Sequence, residues 1–355
     1  MRNALLFSLG FVLVAALIPL LARCAARLGL LDRPGGHKNH VRPVPVVGGI
    51  AMGLVFIACF ATLGLSREVS VWLPAAAAIM IFCGLLDDRS ALSPIPKFGL
   101  QILAAFVLAR FGGATLAHLG ELVRPELLVL GALALPFTLF AIVGVMNALN
   151  MTDGVDGLAG GVSLVSVIAF AYCAGEAGFV QVLAVACLLA GMLLGFLVYN
   201  ARLPGRRHAT VFMGDAGSYF LGLVLAWMAI TLATGSEPAL SPMTAVWILG
   251  VPLADTVVLL VRRSLQRRNP LQPDREHLHH LLLARGLSHR AVSAIVVGVS
   301  ALMALAGIGA AHAGVPEFVM FYLYGALWLV YYVTASYSFR PRRQAETGLS
   351  TGRSG

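Results

Sequence analysis

Charged residues are scarce in this chain. They make up 12% of its 355 residues, while hydrophobic residues make up 59%. An ordinary soluble domain is about a quarter charged and about half apolar, so the composition excludes a soluble globular protein. Cysteine is scarce too. The five cysteines (24, 59, 83, 173 and 187) lie in or beside apolar runs, without metal-type spacing. They read as small packing residues, which argues against thiolate-bound zinc. No stretch reads as a soluble domain, and no internal repeat stands out.

What is abundant is apolar sequence in long blocks. A bilayer-spanning helix needs about 17 to 25 apolar residues. Eleven runs qualify: roughly 4–22, 46–65, 70–86, 97–112, 126–147, 160–175, 179–199, 211–233, 242–262, 290–312 and 317–337. Residues 4–22 do not read as a cleaved signal peptide. Only Arg2 precedes the run, while Arg23, Arg27, Arg33, Lys38 and Arg42 follow it, the wrong polarity for a leader.

Basic residues fall on alternate connections. The segments 23–42, 87–97, 148–158, 200–210, 262–290 and 339–355 carry 21 of the 25 lysines and arginines. Positive charge collects on the cytoplasmic side. The expected fold is therefore an all-α polytopic membrane protein of about eleven transmembrane helices, with the N-terminus outside and the C-terminus cytoplasmic. A single transmembrane catalytic domain, residues 1–339, precedes a disordered basic tail, 340–355. The net charge of +9 is a topology signal and a match to anionic lipid, and it does not point to nucleic acid.

Acidic residues segregate. All eight aspartates fall on the cytoplasmic side or in a span near it, and five stand in three glycine- or asparagine-containing clusters: GLLDDRS, NALNMTDGVDGL and FMGDAGS. Asp, Asn and Gly also make caps and turns; three such clusters on one face point to more than that. Asp87 and Asp88 are adjacent, so on a helix they diverge by about 100°. That suits one acid on a metal and one acting as a base; the plainer reading is a solvated pair answered by Arg89. Asn147, Asn150, Asp153 and Asp156 recur every third residue, and Gly154 and Gly157 interrupt any continuous helix. They read as a helix end opening into a loop whose polar groups converge on a ligand. Asp215 lies between Gly214 and Gly217, which admit close approach of backbone or phosphate. Phe212 is a flat face or an interfacial anchor.

PDREHLHHLLLARG, residues 273–286, reads as a short helix with Asp274 as N-cap and Gly286 past its end. His277 and His280 are expected to share a face, with His279 turned away. The histidines suit phosphate oxygens; zinc lacks an i,i+4 pair. Lys38 and Arg42 in the first loop are either a plain positive-inside loop or a phosphate clamp. Asp255, about two turns into the ninth run, is the best residue for an ion pathway or an interhelical hydrogen bond. Hard oxygen ligands without sulfur suit Mg²⁺ or Mn²⁺. Together the residues point to metal-assisted phosphoryl transfer at the inner leaflet, between a lipid and a cytosolic phosphorylated molecule. A membrane transporter is the distant alternative.

The motifs GLLDDR, NALNMTDGVDGL, VFMGDAGS and DREHLHHLLLARG, with HKNHVRPVPVVGG upstream, resemble the polyprenyl-phosphate N-acetylhexosamine-1-phosphate transferases from residue 30 to about 337. The resemblance implies a multi-pass enzyme of the bacterial cytoplasmic (inner) membrane. It implies transfer of GlcNAc-1-phosphate from a UDP-sugar to undecaprenyl phosphate, releasing UMP and initiating O-antigen or another cell-envelope glycan. UDP-N-acetylfucosamine and UDP-MurNAc-pentapeptide are the alternative donors; His-Leu-His-His, in place of three consecutive histidines, argues against the latter. By the same resemblance Asp87 is the base, and Asp215 with Asn150 or Asp88 holds Mg²⁺. Phe212 stacks on uracil, Asp153 and Asp156 read the nucleoside, Asn200 and Asn147 line the pocket, and His277, His279 and His280 grip the phosphates. A homodimer is compatible with the family. One departure stands out: the DDxxD pattern ends here in Ala91, which removes the third acid.

Overall fold

The structure is a computed structural model that describes residues 1–33, 43–65, 69–202, 205–206, 208–268 and 276–338. Lys38, Arg42, Asp274 and the 340–355 tail lie outside the described residues. Thirteen α-helices are described. They are α1 (Arg2–Leu28), α2 (Gly48–Thr62), α3 (Trp72–Ser90), α4 (Pro94–Arg110), α5 (Ala134–Thr152), α6 (Leu158–Glu176) and α7 (Val180–Asn200). Then come α8 (Gly214–Ala233), α9 (Pro242–Ile248), α10 (Gly250–Leu265), α11 (Leu278–Ala284), α12 (His289–His312) and α13 (Glu317–Ser338). The only named strands among the described residues are a two-residue antiparallel pair, Leu31–Asp32 with Val44–Pro45.

Seven helices or helical stretches are long and apolar enough to cross a bilayer alone, and an eighth span arises if α9 and α10 are counted together. The chain is an all-α polytopic membrane protein. Each of the eleven apolar runs overlaps a helix, with shifted bounds. The run at 46–65 forms only the 15 residues of α2, and that at 126–147 becomes helical late and continues to Thr152. The run at 242–262 is broken and bent by 86° between α9 and α10. Pro252 lacks an N–H for the carbonyl four residues earlier, which explains the break. The exposed backbone finds side-chain partners: Ser166 Oγ donates to Ile248 O at 3.2 Å, and Tyr324 Oη donates to Gly250 O at 2.9 Å. Irregular backbone at membrane depth survives only when protein satisfies it in this way.

Helix α8 is the axis of the bundle, with nearly every residue buried. Its neighbours approach at glycines. A Cβ built on Gly49 would fall 2.1 Å from Gly217 N, one on Gly84 2.1 Å from Ala216 N, and one on Gly222 2.5 Å from Met146 Cα. Small residues at such crossings let backbones touch. Above them Phe56 packs on Phe60 and Phe220 at ring-centroid distances of 4.7 and 5.1 Å. The outer helices are different. Leu302 and Leu305 of α12 and Leu323, Leu329 and Val330 of α13 are exposed, as lipid-facing side chains are in a membrane protein.

Candidate active site

The carboxyl end of α3 and the amino end of α8 meet where Gly84 removes the side chain that would separate them. Helix α8 opens on a left-handed Gly214, φ 77°, whose missing Cβ would lie 2.6 Å from Asp88 Oδ2. The first N–H groups of α8 have no intrahelical partner. Asp88, from α3, supplies one: its Oδ1 accepts from Asp215 N at 2.8 Å and its Oδ2 from Ala216 N at 3.2 Å. A carboxylate at the positive end of a helix is favourable. Asp88 thus fixes where Asp215 begins.

Asp87 is buried on the other side of α3. Its Oδ1 accepts from Leu92 N at 2.9 Å, where the chain leaves the helix. Its Oδ2 receives Lys97 Nζ at 2.5 Å and Tyr219 Oη at 3.2 Å. The adjacent pair therefore divides its partners, as two carboxylates diverging on a helix must. Neither is the solvated partner of Arg89. Asn150, at the end of α5, donates to Asp215 Oδ1 at 2.6 Å and to Ser218 Oγ at 2.9 Å.

After Thr152 the chain turns through Asp153–Gly157, and Gly157 takes φ 78° ahead of α6. This is the helix-to-loop opening expected from the three-residue spacing. The Asp153 carboxyl is pushed up to about 7, by burial first and then by the charges of Asp215 and Asp156. Asp156 is ion-paired: its Oδ2 accepts from Arg202 Nε at 2.7 Å and from Ala209 N at 3.0 Å. Asn200 is buried and ties the turn before α6 to the segment before α8, accepting from Gly157 N at 2.8 Å and donating to Val211 O at 2.9 Å. Asn147 donates to Gln101 Oε1 at 2.7 Å, joining α5 to α4. Phe212 is half-buried, and its backbone pairs with Pro45 and Gly48, which anchors the first loop's return beside the site.

The histidine segment closes over this loop. A Cβ on Gly154 would sit 2.2 Å from His279 Nε2, so the ring lies directly on the glycine between Asp153 and Asp156. His279 is buried, its Nε2 has no hydrogen-bond partner among the described residues, and its pKa falls to about 3, by burial first and then by His280. The expected face assignment needs correction. His277 precedes α11 in an extended conformation, so helical spacing does not apply to it. Its ring stacks on His279 at 5.7 Å with an interplanar angle of 3°, and His279 lies 4.2 Å from His280. Gly286 does stand past the helix end, with φ 87°. Asp255 Oδ2 faces His277 Nδ1 at 2.9 Å, and its Oδ1 accepts from Leu278 N at 2.9 Å and Tyr331 Oη at 2.5 Å. Of the two readings of Asp255, this is the interhelical hydrogen bond.

Lys97, Tyr219, Arg202 and Tyr331 were not among the residues expected at the site. Lys97 is one of only two lysines in the chain. Tyr219 follows Asp215 by four residues, hence on the same helix face. Those two signals were present. No sequence rule pairs Arg202 with Asp156 or Tyr331 with Asp255.

Among the described residues no three acidic, histidine or cysteine side chains cluster closely enough to cage a metal ion. A hard cation such as Mg²⁺ needs no such cage; it takes one or two carboxylates and fills its shell with water and phosphate oxygens. The oxygen donors of Asp215, Asn150 and Asp88 fit that chemistry. The site thus joins buried acids, a lysine and stacked histidines at one end of an apolar bundle.

The comparisons agree in class. The family described as glycosyl transferase family 4 matches residues 69–233, the span that holds every acidic cluster above. Undecaprenyl-phosphate alpha-N-acetylglucosaminyl 1-phosphate transferase of Yersinia pestis is 34% identical over 331 residues, covering 92% of this chain and 88% of the relative. The protein of that name from Salmonella typhimurium is 34% identical over 352 residues, covering 95% of both chains. That from Escherichia coli K12 is 33% identical over 319 residues, covering 87% and 84%. The chain belongs to glycosyl transferase family 4, and it is an enzyme of the sugar-1-phosphate transferase kind.

Proposed function

We propose that the protein transfers GlcNAc-1-phosphate from UDP-GlcNAc to undecaprenyl phosphate, giving undecaprenyl-pyrophosphoryl-GlcNAc and UMP. A phosphate oxygen of the lipid forms a bond to the β-phosphorus, and the bond from that phosphorus to the UMP oxygen breaks. The observation that carries this reading is the meeting of Asp87, Asp88, Asp215 and Asn150 with the His279-covered Asp153 loop, in a chain similar along most of its length to transferases of that name.

Asp87 takes the proton of the lipid phosphate, with Lys97 compensating its charge. Asp215, Asn150 and Asp88 hold Mg²⁺, which when bound neutralises the diphosphate. His277, His279 and His280 bind phosphate oxygens, and Phe212, Asp153 and Asp156 border the nucleoside. Asn200 and Asn147 act one step back by holding the loop and α5. Lys38 and Arg42 are the further candidates for binding the substrate's phosphates. Eleven crossings of the bacterial inner membrane, counting α2, α3, α4 and the broken α9–α10 pair as spans, put the termini on opposite sides, and the basic connections place the N-terminus outside and the site at the cytoplasmic face. That side is where the nucleotide sugar is available.

The test is a UMP-release assay of purified enzyme with undecaprenyl phosphate over a panel of UDP-sugars, with and without Mg²⁺. UDP-GlcNAc should be the preferred donor, and chelation should stop turnover. Asp215→Asn and Asp87→Asn should each lower turnover by about 10²- to 10⁴-fold, the scale of a removed electrostatic or acid–base group. Unchanged turnover in both folded variants would refute these roles.

A further inference from the structure

One buried acid is left over from this chemistry. Asp255 lies on α10, outside the three acidic clusters of the sequence, and is 5% exposed. It serves three partners drawn from three places. His277 precedes α11, Leu278 N–H opens α11, and Tyr331 reaches across from α13.

A carboxylate has only acceptor sites. The Leu278 N–H and the Tyr331 hydroxyl are donors, and the contact with His277 Nδ1 at 2.9 Å therefore requires the proton on Nδ1. A buried carboxylate also demands a compensating charge, which an imidazolium provides. His277 is itself 7% exposed, so its ring is not free to turn. The stack on His279 fixes the plane of the ring, and Asp255 fixes which edge faces inward. With Nδ1 committed, the other ring nitrogen, Nε2, is left to bond to something outside the trio.

We propose that Asp255 is a positioning residue for the transfer reaction: its carboxylate accepts His277 Nδ1–H and favours the imidazolium, whose Nε2–H then donates to a phosphate oxygen of the nucleotide sugar. Tyr331 braces the carboxylate from the last helix. This inference rests on the transferase reading. Asp255 never touches substrate; it acts through His277, as a carboxylate orients an imidazole in other enzymes. The plain alternative is that Asp255 only caps α11.

Asp255→Asn separates the two. The amide keeps the shape and a carbonyl acceptor for Leu278 N–H, so a capping role survives. The counter-charge to His277 is lost. The expected result is a kcat lower by about 10- to 100-fold with KM for UDP-GlcNAc changed by less than about threefold, as for a group that acts in the transition state. In a His277→Ala background, Asp255→Asn should cost nothing further. Wild-type kcat in Asp255→Asn, or losses that multiply in the double variant, would overturn the proposal.

Imidazole ¹⁵N NMR supplies a reading that needs no turnover. The wild-type protein should show both His277 ring nitrogens protonated, and Asp255→Asn should change that signal. An unprotonated Nδ1 or Nε2 in the wild type overturns the positioning role even if the enzyme is active. An inactive wild type with the expected NMR signature instead places the failure in the transferase reading.

Discussion

Two helices in this molecule begin at a carboxylate borrowed from a neighbour. Helix α8 starts on Asp88 of α3, and α11 starts on Asp255 of α10. On the α8 side the approach is made by backbone: Gly84 and Gly214 leave room, and Asp88 sits against the chain itself. On the α11 side a side chain makes it: Asp255 gathers His277 and Tyr331, and His279 fills the space over Gly154. The first junction is constrained because backbone meets backbone where Gly84 approaches Ala216. The second depends on ring orientation, so it can be perturbed in smaller steps.

The largest effect should come from breaking the backbone junction. Gly84→Val places a branched side chain where a Cβ is already 2.1 Å from Ala216 N. Overpacking against a side chain typically costs about 1–3 kcal/mol; here the obstacle is backbone, and the cost should reach or exceed the top of that range. UMP release should vanish and the melting midpoint in detergent should fall. A Gly84→Val protein with normal turnover would show that the α3–α8 contact does not place the acids.

Gly154→Ala tests the side-chain junction. Its Cβ would press on His279 Nε2, the far end of a ring that can shift. The expected loss is about tenfold in turnover, the kinetic equivalent of about 1.4 kcal/mol. Combining it with His279→Ala should restore the space, so the double variant should be no worse than His279→Ala alone. A double variant that is far worse would mean that Gly154 serves the loop and not the ring.

The smallest effect is a pH dependence. His279 is held neutral, its pKa lowered to about 3 by burial and then by His280. In the unfolded chain it binds a proton below about 6.5. The unfolded state therefore holds more protons between these values, and stability falls as pH drops from about 6.5 towards 3, by at most about 1.4 kcal/mol per pH unit. The raised carboxyl of Asp153 works in the opposite sense, losing its contribution as pH rises towards about 7. The comparison of wild type with His279→Gln isolates the histidine. Between pH 7 and pH 5 the variant's melting midpoint should change in the stabilising direction relative to the change in the wild type, and an equal change in the two would count against a buried neutral ring.

Much of this architecture was legible in the chain. Long apolar blocks marked the helices, because burying or lipid-facing side chains needs no partner specified in advance. Asp87, Asp88, Asp153 and Asp215 were legible as candidates because a carboxylate beside an apolar run is costly and needs a reason, either a helix cap or a site. The face assignment of His277 and His279 failed because it assumed a helix that begins only at Leu278. Arg202, Lys97 and Tyr331 meet their carboxylates across gaps of 46, 10 and 76 residues. No local period reports such pairings.

The sequence by itself determined the material: apolar helices, acids confined to a few helix ends, and glycines where bulk is absent. The tertiary structure alone decided the partners. Which acid caps which helix, which lysine answers Asp87 and which ring covers Gly154 depend on helices packed at specific crossings. Hydrophobicity is additive along a chain and can be read from it. Hydrogen bonds and charge pairs are directional and short in range, and they exist only once distant segments have been brought within about 3 Å of each other.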